Sequence, residues 1–245
     1  PNFEKIILDS ITSYKAQSKR RFDKNNLRYG GQKIIKNRTP RVILIPGIGL
    51  VGVGKNINES NIAADLAEVN ISVISDAEAI GTYRPANKKQ IFDVEYWAPE
   101  ANKVKKQTSL PLSGKIVLIT GAGSGIGAAT AGIFSKNGAV VAVVDKDLTA
   151  AELVASKTNG YGFQCDVTNL KDVKRIFDQI CKKFGGVDVI VSNAGAAWQG
   201  EIGTVDNNII RDSFELNFFA HQNIAQNAVR IMRAQKLGGS LLFNT

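Results

Sequence analysis

The chain has 245 residues, 44% of them apolar, and a formal charge of +9, enough length and apolar content for two domains with packed cores. Residues 1–113 carry 18 Lys and Arg against 11 Asp and Glu, and residues 114–245 carry 13 against 11, so the second half lacks the basic excess that nucleic acid requires. Two cysteines, Cys165 and Cys181, and one histidine, His221, exclude a disulfide scaffold or a metal centre built on them.

The elements run as follows. Phe3, Ile6, Ile7, Ile11 and Tyr14 mark one face of a helix over Phe3–Arg21. Lys19-Arg20-Arg21, with Asp23 close behind, reads as the solvated end of that helix and not as a nucleic-acid patch. Asp23–Pro40 reads as loop, and Arg41–Ile45 as a short buried strand running into Pro46 and a glycine-rich turn. Val42–Gly54 is the longest apolar stretch, but its proline and four glycines make it too short to span a bilayer. No signal peptide is visible, which predicts a cytoplasmic protein with reduced cysteines. Over Asn61–Ala79 the pattern predicts a helix through Val69 and then a strand at Ile71–Ile74. Gly81–Leu112 holds three prolines and many lysines, with Gln107–Ser113 as the domain junction.

From Gly114 the pattern is regular: strands at 115–120, 139–145, 161–166, 187–192 and 240–244, helices at 124–136, 148–158, 169–184 and 205–235. This alternation predicts an α/β fold with a doubly wound parallel (Rossmann) sheet and right-handed crossovers. Five strands fall within 114–245, one unit short of a six-strand sheet, and the last strand, Ser240–Asn244, would leave an apolar edge. With Pro1 in place of an initiator Met, the expectation is a fragment of something longer.

Strand 115–120 opens into Gly121-Ala122-Gly123-Ser124-Gly125-Ile126-Gly127. In such a turn Gly121 permits the tight bend, Gly125 lets backbone approach a pyrophosphate, and Gly127 lets helix pack on strand. The amides of the helix N-terminus, at Ser124 and Ile126, would then face the phosphates. Asp145, 18 residues past Gly127, would bond the ribose hydroxyls and repel a 2′-phosphate, so the cofactor predicted is NAD rather than NADP.

Four blocks together resemble the short-chain dehydrogenase/reductase family: Thr120–Gly127, Asp166-Val167, Ser192-Asn193-Ala194-Gly195, and Asn217 within Glu215-Leu216-Asn217-Phe218. The resemblance covers 114–245. It implies that Asp166 accepts from the adenine amino group and Val167 flanks the ring, against the plainer reading of Asp166 as a helix cap. Asn193, Ala194 and Gly195 would lie beside the ribose and nicotinamide, against the reading of an ordinary turn. Asn217 would support catalysis. The family's catalytic Ser and Tyr-x-x-x-Lys have no counterpart here; Tyr29…Lys33 has the spacing, but Gly30-Gly31 between them disfavours the necessary helix.

Residues 1–107 are similar to the end of the aldolase half of bifunctional aldolase/short-chain dehydrogenases, the rhamnulose-phosphate aldolase/lactaldehyde dehydrogenase type. Arg41–Gly49, Ile62–Asp65, Asp76–Ala79 and Phe92–Trp97 carry that likeness. The parent is thus expected to be NAD-dependent, to act on a small hydroxyaldehyde or sugar-derived alcohol, and to form a homo-oligomer when complete. No nucleic-acid or membrane partner is expected. A non-catalytic NAD-binding module is the alternative. Gly47–Gly52 repeats GxGxxG and Gly49–Lys55 fits GxxxxGK, but Asn56 stands where a P-loop uses Ser or Thr for Mg²⁺; a structural turn is the better reading. His221 is expected to be an exposed or satisfied helix residue.

Overall fold

A computed structural model describes residues 2–36, 38–96 and 110–245. The chain forms two compact units, Pro1–Thr108 and Ser109–Thr245. Of the predicted junction, residues 107–109 lie outside the described part, as does Trp97.

In the first unit, helix α1 spans Phe3–Asn26. The predicted loop from Asp23 begins later, because Asp23-Lys24-Asn25-Asn26 continues the helix and Leu27–Tyr29 adds a 3₁₀ turn that ends at Gly30. Lys19 pairs with Asp23 one turn on, at 2.6 Å. Strands β1 (Val42–Ile45) and β2 (Gly49–Gly52) form an antiparallel hairpin. Part of the supposed turn is therefore strand, and β1 is not buried: Leu44 is 63% exposed.

Helix α2 runs unbroken from Ile57 to Ile80, so the strand expected at Ile71–Ile74 is absent. The segment holds no Gly or Pro after its Asn56 cap, and each residue added to an existing helix gains a hydrogen bond without a new nucleation cost. Four alternating residues, with no partner strand beside them, do not outweigh that. Helix α3 (Lys88–Glu95) starts on a capping box of Asn87 and Gln90. Its Phe92 packs against Phe22, Tyr29 and Tyr96, and is almost fully buried.

The second unit is a five-stranded parallel sheet in the order β5-β4-β3-β6-β7. Its elements in chain order are β3 (Ile116–Thr120), α4 (Gly125–Lys136), β4 (Val140–Asp145), α5 (Leu148–Ser156), β5 (Gly160–Gln164), α6 (Leu170–Phe184), β6 (Val189–Ser192), α7 (Asn207–Phe214), α8 (Ala220–Gln235) and β7 (Ser240–Phe243). The Rossmann expectation holds, strand for strand. β3 and β4 are buried on both faces, as near-continuous Val/Ile/Leu runs require. Val173, Ile176, Phe177 and Ile180 recur at helical spacing and bury one face of α6. β7 is an edge strand with Phe243 half exposed.

One departure concerns the long helix expected at 205–235. It is two helices joined by a π-helical turn over Glu215–Phe219. The wide turn contains Asn217, whose side chain is bonded across to the backbone of Ala196.

Candidate functional site

Order reverses between the strand pairs β3–β4 and β3–β6, and the crevice at the carboxyl ends there is where an open α/β sheet takes a ligand. Of the sequence-predicted residues, Gly121, Ser124, Gly125, Ile126 and Gly127 follow β3, Asp145 ends β4, and Asn193, Ala194 and Gly195 follow β6; Asp166 and Val167 follow β5, and Asn217 lies on the turn between α7 and α8.

Gly121 has φ +62° and Gly125 +53°, conformations that side chains rarely tolerate. A Cβ on Gly121 would lie 2.8 Å from the Ala194 backbone, whereas the space beside Gly125 is open. At Gly127 a Cβ would collide with the Gly121 carbonyl, so the third glycine does allow the helix to close on the strand. Ser124 sits at the α4 N-cap without a side-chain capping bond, and Ile126 is 68% exposed. The first turn of α4 thus keeps its amides available to an anion.

Asp145 ends β4, and both its carboxylate oxygens are held by backbone donors: Gly123 N–H at 2.9 Å on Oδ2 and Asp147 N–H at 3.1 Å on Oδ1. Asp166 does not cap α6. Asn169 does, accepting from Lys171 and Asp172, while Asp166 Oδ1 takes the Thr168 amide and hydroxyl at 3.0 and 2.7 Å. Asp166 is exposed, and Val167 beside it is buried.

Asn193-Ala194-Gly195 is more than a turn. The fully buried Thr120 hydroxyl accepts from the Asn193 and Ala194 amides at 2.9 and 3.0 Å. Asn193 Nδ2 donates back to the carbonyls of Thr120 and Gly121, and its Oδ1 accepts from Asn244 at 2.8 Å. Asn217 continues the lattice: Nδ2 donates to Ala196 O at 2.8 Å, and Oδ1 accepts the Ala196 amide at 3.1 Å. Its carboxamide stands 3.0 Å from where a Cβ on Gly195 would be. Asn217 therefore spends its polar atoms on fixing the strand-end loop.

Sequence reasoning missed several participants. Gly123 and Thr120 lay inside the motif, yet only their bonds disclose what they do. The Ser192 hydroxyl meets His221 Nδ1 at 2.6 Å, both side chains buried, with Phe243 edge-on to the imidazole. Of the two readings of His221, the satisfied one applies. Burial holds its pKa below the ordinary imidazole value. Ser192, the one departure from the family's Asn at that place, supplies the small hydroxyl that this ring meets; i+29 spacing gave no signal for the pair.

The decoys resolve by geometry. Tyr29 gives its hydroxyl proton to Asp93 at 2.7 Å, and that bond raises its pKa, opposite to what a catalytic base needs. Lys33 lies 4.8 Å over the Tyr29 ring as a cation–π partner. Gly47–Gly52 is the hairpin, and at the start of α2 the Glu59 carboxylate takes the Lys55 amide and the Arg41 guanidinium. An acid stands where a P-loop would hold phosphate. Cys165 is buried, which pushes its thiol up to about 12 and leaves it unreactive. Among the described residues no helix is long and apolar enough to cross a membrane.

The family model for short chain dehydrogenases matches residues 115–243. The chain belongs to the short-chain dehydrogenase family. Members of this family use NAD or NADP, and the open space beside Gly125 and the carboxylates of Asp145 and Asp166, which end or follow neighbouring strands, fit such a dinucleotide. A second family model, aldolase class II, second domain, matches residues 2–104. The uncharacterized oxidoreductase YuxG of Bacillus subtilis is 30% identical over 97% of the chain, and the chain spans 35% of it. D-threitol dehydrogenase of Mycolicibacterium smegmatis is 37% identical over 40% of the chain and 40% of its own length. A crystal structure of a short-chain type dehydrogenase/reductase from Mycobacterium marinum matches with a TM-score of 0.53 and 32% identity, over 55% of this chain and 57% of that one.

Proposed function

We propose that residues 114–245 form the NAD-binding part of a short-chain dehydrogenase that oxidises a small hydroxyaldehyde or sugar-derived alcohol. In this reading residues 1–107 are the end of an aldolase-like half, 108–113 the linker, and the parent a cytoplasmic, bifunctional homo-oligomer. The observation that carries the cofactor choice is the Asp145 carboxylate, fixed beside the glycine turn by two amides. A negative group there accepts the two ribose hydroxyls of NAD and opposes a 2′-phosphate. The relative named as an oxidoreductase, which matches nearly the whole of this chain, and the polyol named in the D-threitol relative support the reaction class and the substrate size.

When bound, NAD⁺ supplies the hydride acceptor. The chain's own residues would hold it: the α4 amides the pyrophosphate, Asp145 the ribose, Asp166 the adenine edge, and Asn193 to Gly195 the nicotinamide end. Asn217 keeps that last loop in place and does not titrate near neutral pH, so it moves no proton by itself. By the family resemblance the acid/base role belongs to a Tyr whose pKa a nearby Lys lowers, beside a Ser that orients the substrate, and these 245 residues provide none of the three at the family's positions.

NAD⁺ reduction is compared between this chain and a longer parent carrying Ser and Tyr-x-x-x-Lys, with lactaldehyde and D-threitol as substrates. Turnover by the longer protein alone is expected, by a factor of at least about 10² for a positioned acid/base. Equal turnover by the short chain contradicts the assignment of roles. Inactivity of both, with NAD still bound, favours a non-catalytic NAD-binding module, a reading supported by the lack of the family's Ser and Tyr-x-x-x-Lys at their positions in this chain.

A further inference from the structure

We infer that Gly123 is a positioning residue for cofactor selection: its amide and its missing side chain together fix the Asp145 carboxylate in the direction that admits a free ribose diol. The inference rests on the NAD reading above and adds a residue which that reading does not use.

An ionised carboxylate has about four lone-pair sites. Two are taken by Gly123 N–H and Asp147 N–H, one on each oxygen, at 2.9 and 3.1 Å. The donors come from different loops, the turn after β3 and the turn after β4, and the second is itself held because Asp147 caps α5 through Ala150. A carboxylate tied at both oxygens is held against rotating aside to make room for a 2′-phosphate, and its remaining lone pairs are fixed in place at no further ordering cost. Only glycine leaves the necessary space: a Cβ at 123 would lie 2.9 Å from Asp145 Oδ2 and 2.8 Å from the Ala150 Cβ. The φ of Gly123 is not in the left-handed region, unlike those of Gly121 and Gly125. Backbone strain is therefore not why glycine stands here; proximity to the carboxylate is.

The test is a double-mutant cycle on the 245-residue protein. NADH and NADPH are titrated by fluorescence against wild type, Gly123→Ala, Asp145→Ala and the double variant, with a thermal melt of each. Gly123→Ala should lose about tenfold in NADH affinity, the scale of one bond to a charged group, and far less for NADPH. With Asp145→Ala already present, it should change neither. Equal losses for both cofactors, or the same loss with and without Asp145, overturn the inference. A wild-type protein without NADH preference contradicts the cofactor reading instead, and the coupling of positions 123 and 145 still decides whether the glycine acts through the acid. If Gly123→Ala does not melt cooperatively, the amide is read directly. Its hydrogen exchange should be slow in wild type and fast in Asp145→Ala; fast exchange in both overturns the inference.

Discussion

Thr120 shows how one hydroxyl can hold a site together. It is fully buried and accepts two amides from the loop after β6. Thr120→Val preserves shape but orphans both donors, so a destabilisation of about 2–4 kcal/mol is expected in urea denaturation. His221 gives a pH signature. Burial lowers its pKa in the folded chain, while the unfolded chain protonates at the ordinary value of about 6.5. Below that pH the unfolded state binds more protons, so this contribution is complete above about pH 6.5 and is lost as pH falls toward the lowered native value. His221→Leu should flatten that acid-side slope in melts between pH 5 and 8, while leaving the Ser192 hydroxyl unpaired at a cost of about 1–3 kcal/mol.

Elements governed by local pattern plus a two-sided core were legible in the sequence. β3 and β4 sit within a residue or so of their expected bounds, because continuous apolar runs between helices have one good place to go. The first unit was less legible. None of α2 is buried, so no packing pattern marked its length, and an accidental alternation at Ile71–Ile74 looked like a strand. The site was legible as glycines and acids, but not as bonds: Ser192 with His221 and Gly123 with Asp145 meet only in the fold. The π turn at Glu215–Phe219 was equally hidden, since its one irregularity is a widened turn bearing Asn217. Asn217→Ala should free the loop after Gly195 at about 1 kcal/mol. The Ala196 amide, now bonded to the Asn217 carboxamide, should exchange faster by hydrogen-exchange NMR while the β3 amides stay protected. Unchanged exchange at Ala196 would separate the π turn from the loop.

At the scale of the molecule, two units carry two family likenesses, a short-chain dehydrogenase over 115–243 and the second domain of a class II aldolase over 2–104. The functional account stands on the first of these, and within it on the charge at Asp145. A carboxylate at close range to a phosphate dianion is repulsive by an amount that depends strongly on the local dielectric, and the exposed Lys146 beside Asp145 is the neighbouring base that works against it. A tenfold preference needs only about 1.4 kcal/mol of it. The most direct measurement is therefore a pair of titrations of the wild-type chain with NADH and NADPH at one ionic strength, repeated on Asp145→Ala. The account predicts at least about tenfold tighter binding of NADH and a gap that narrows in the variant. Equal or tighter binding of NADPH by the wild-type protein would contradict it.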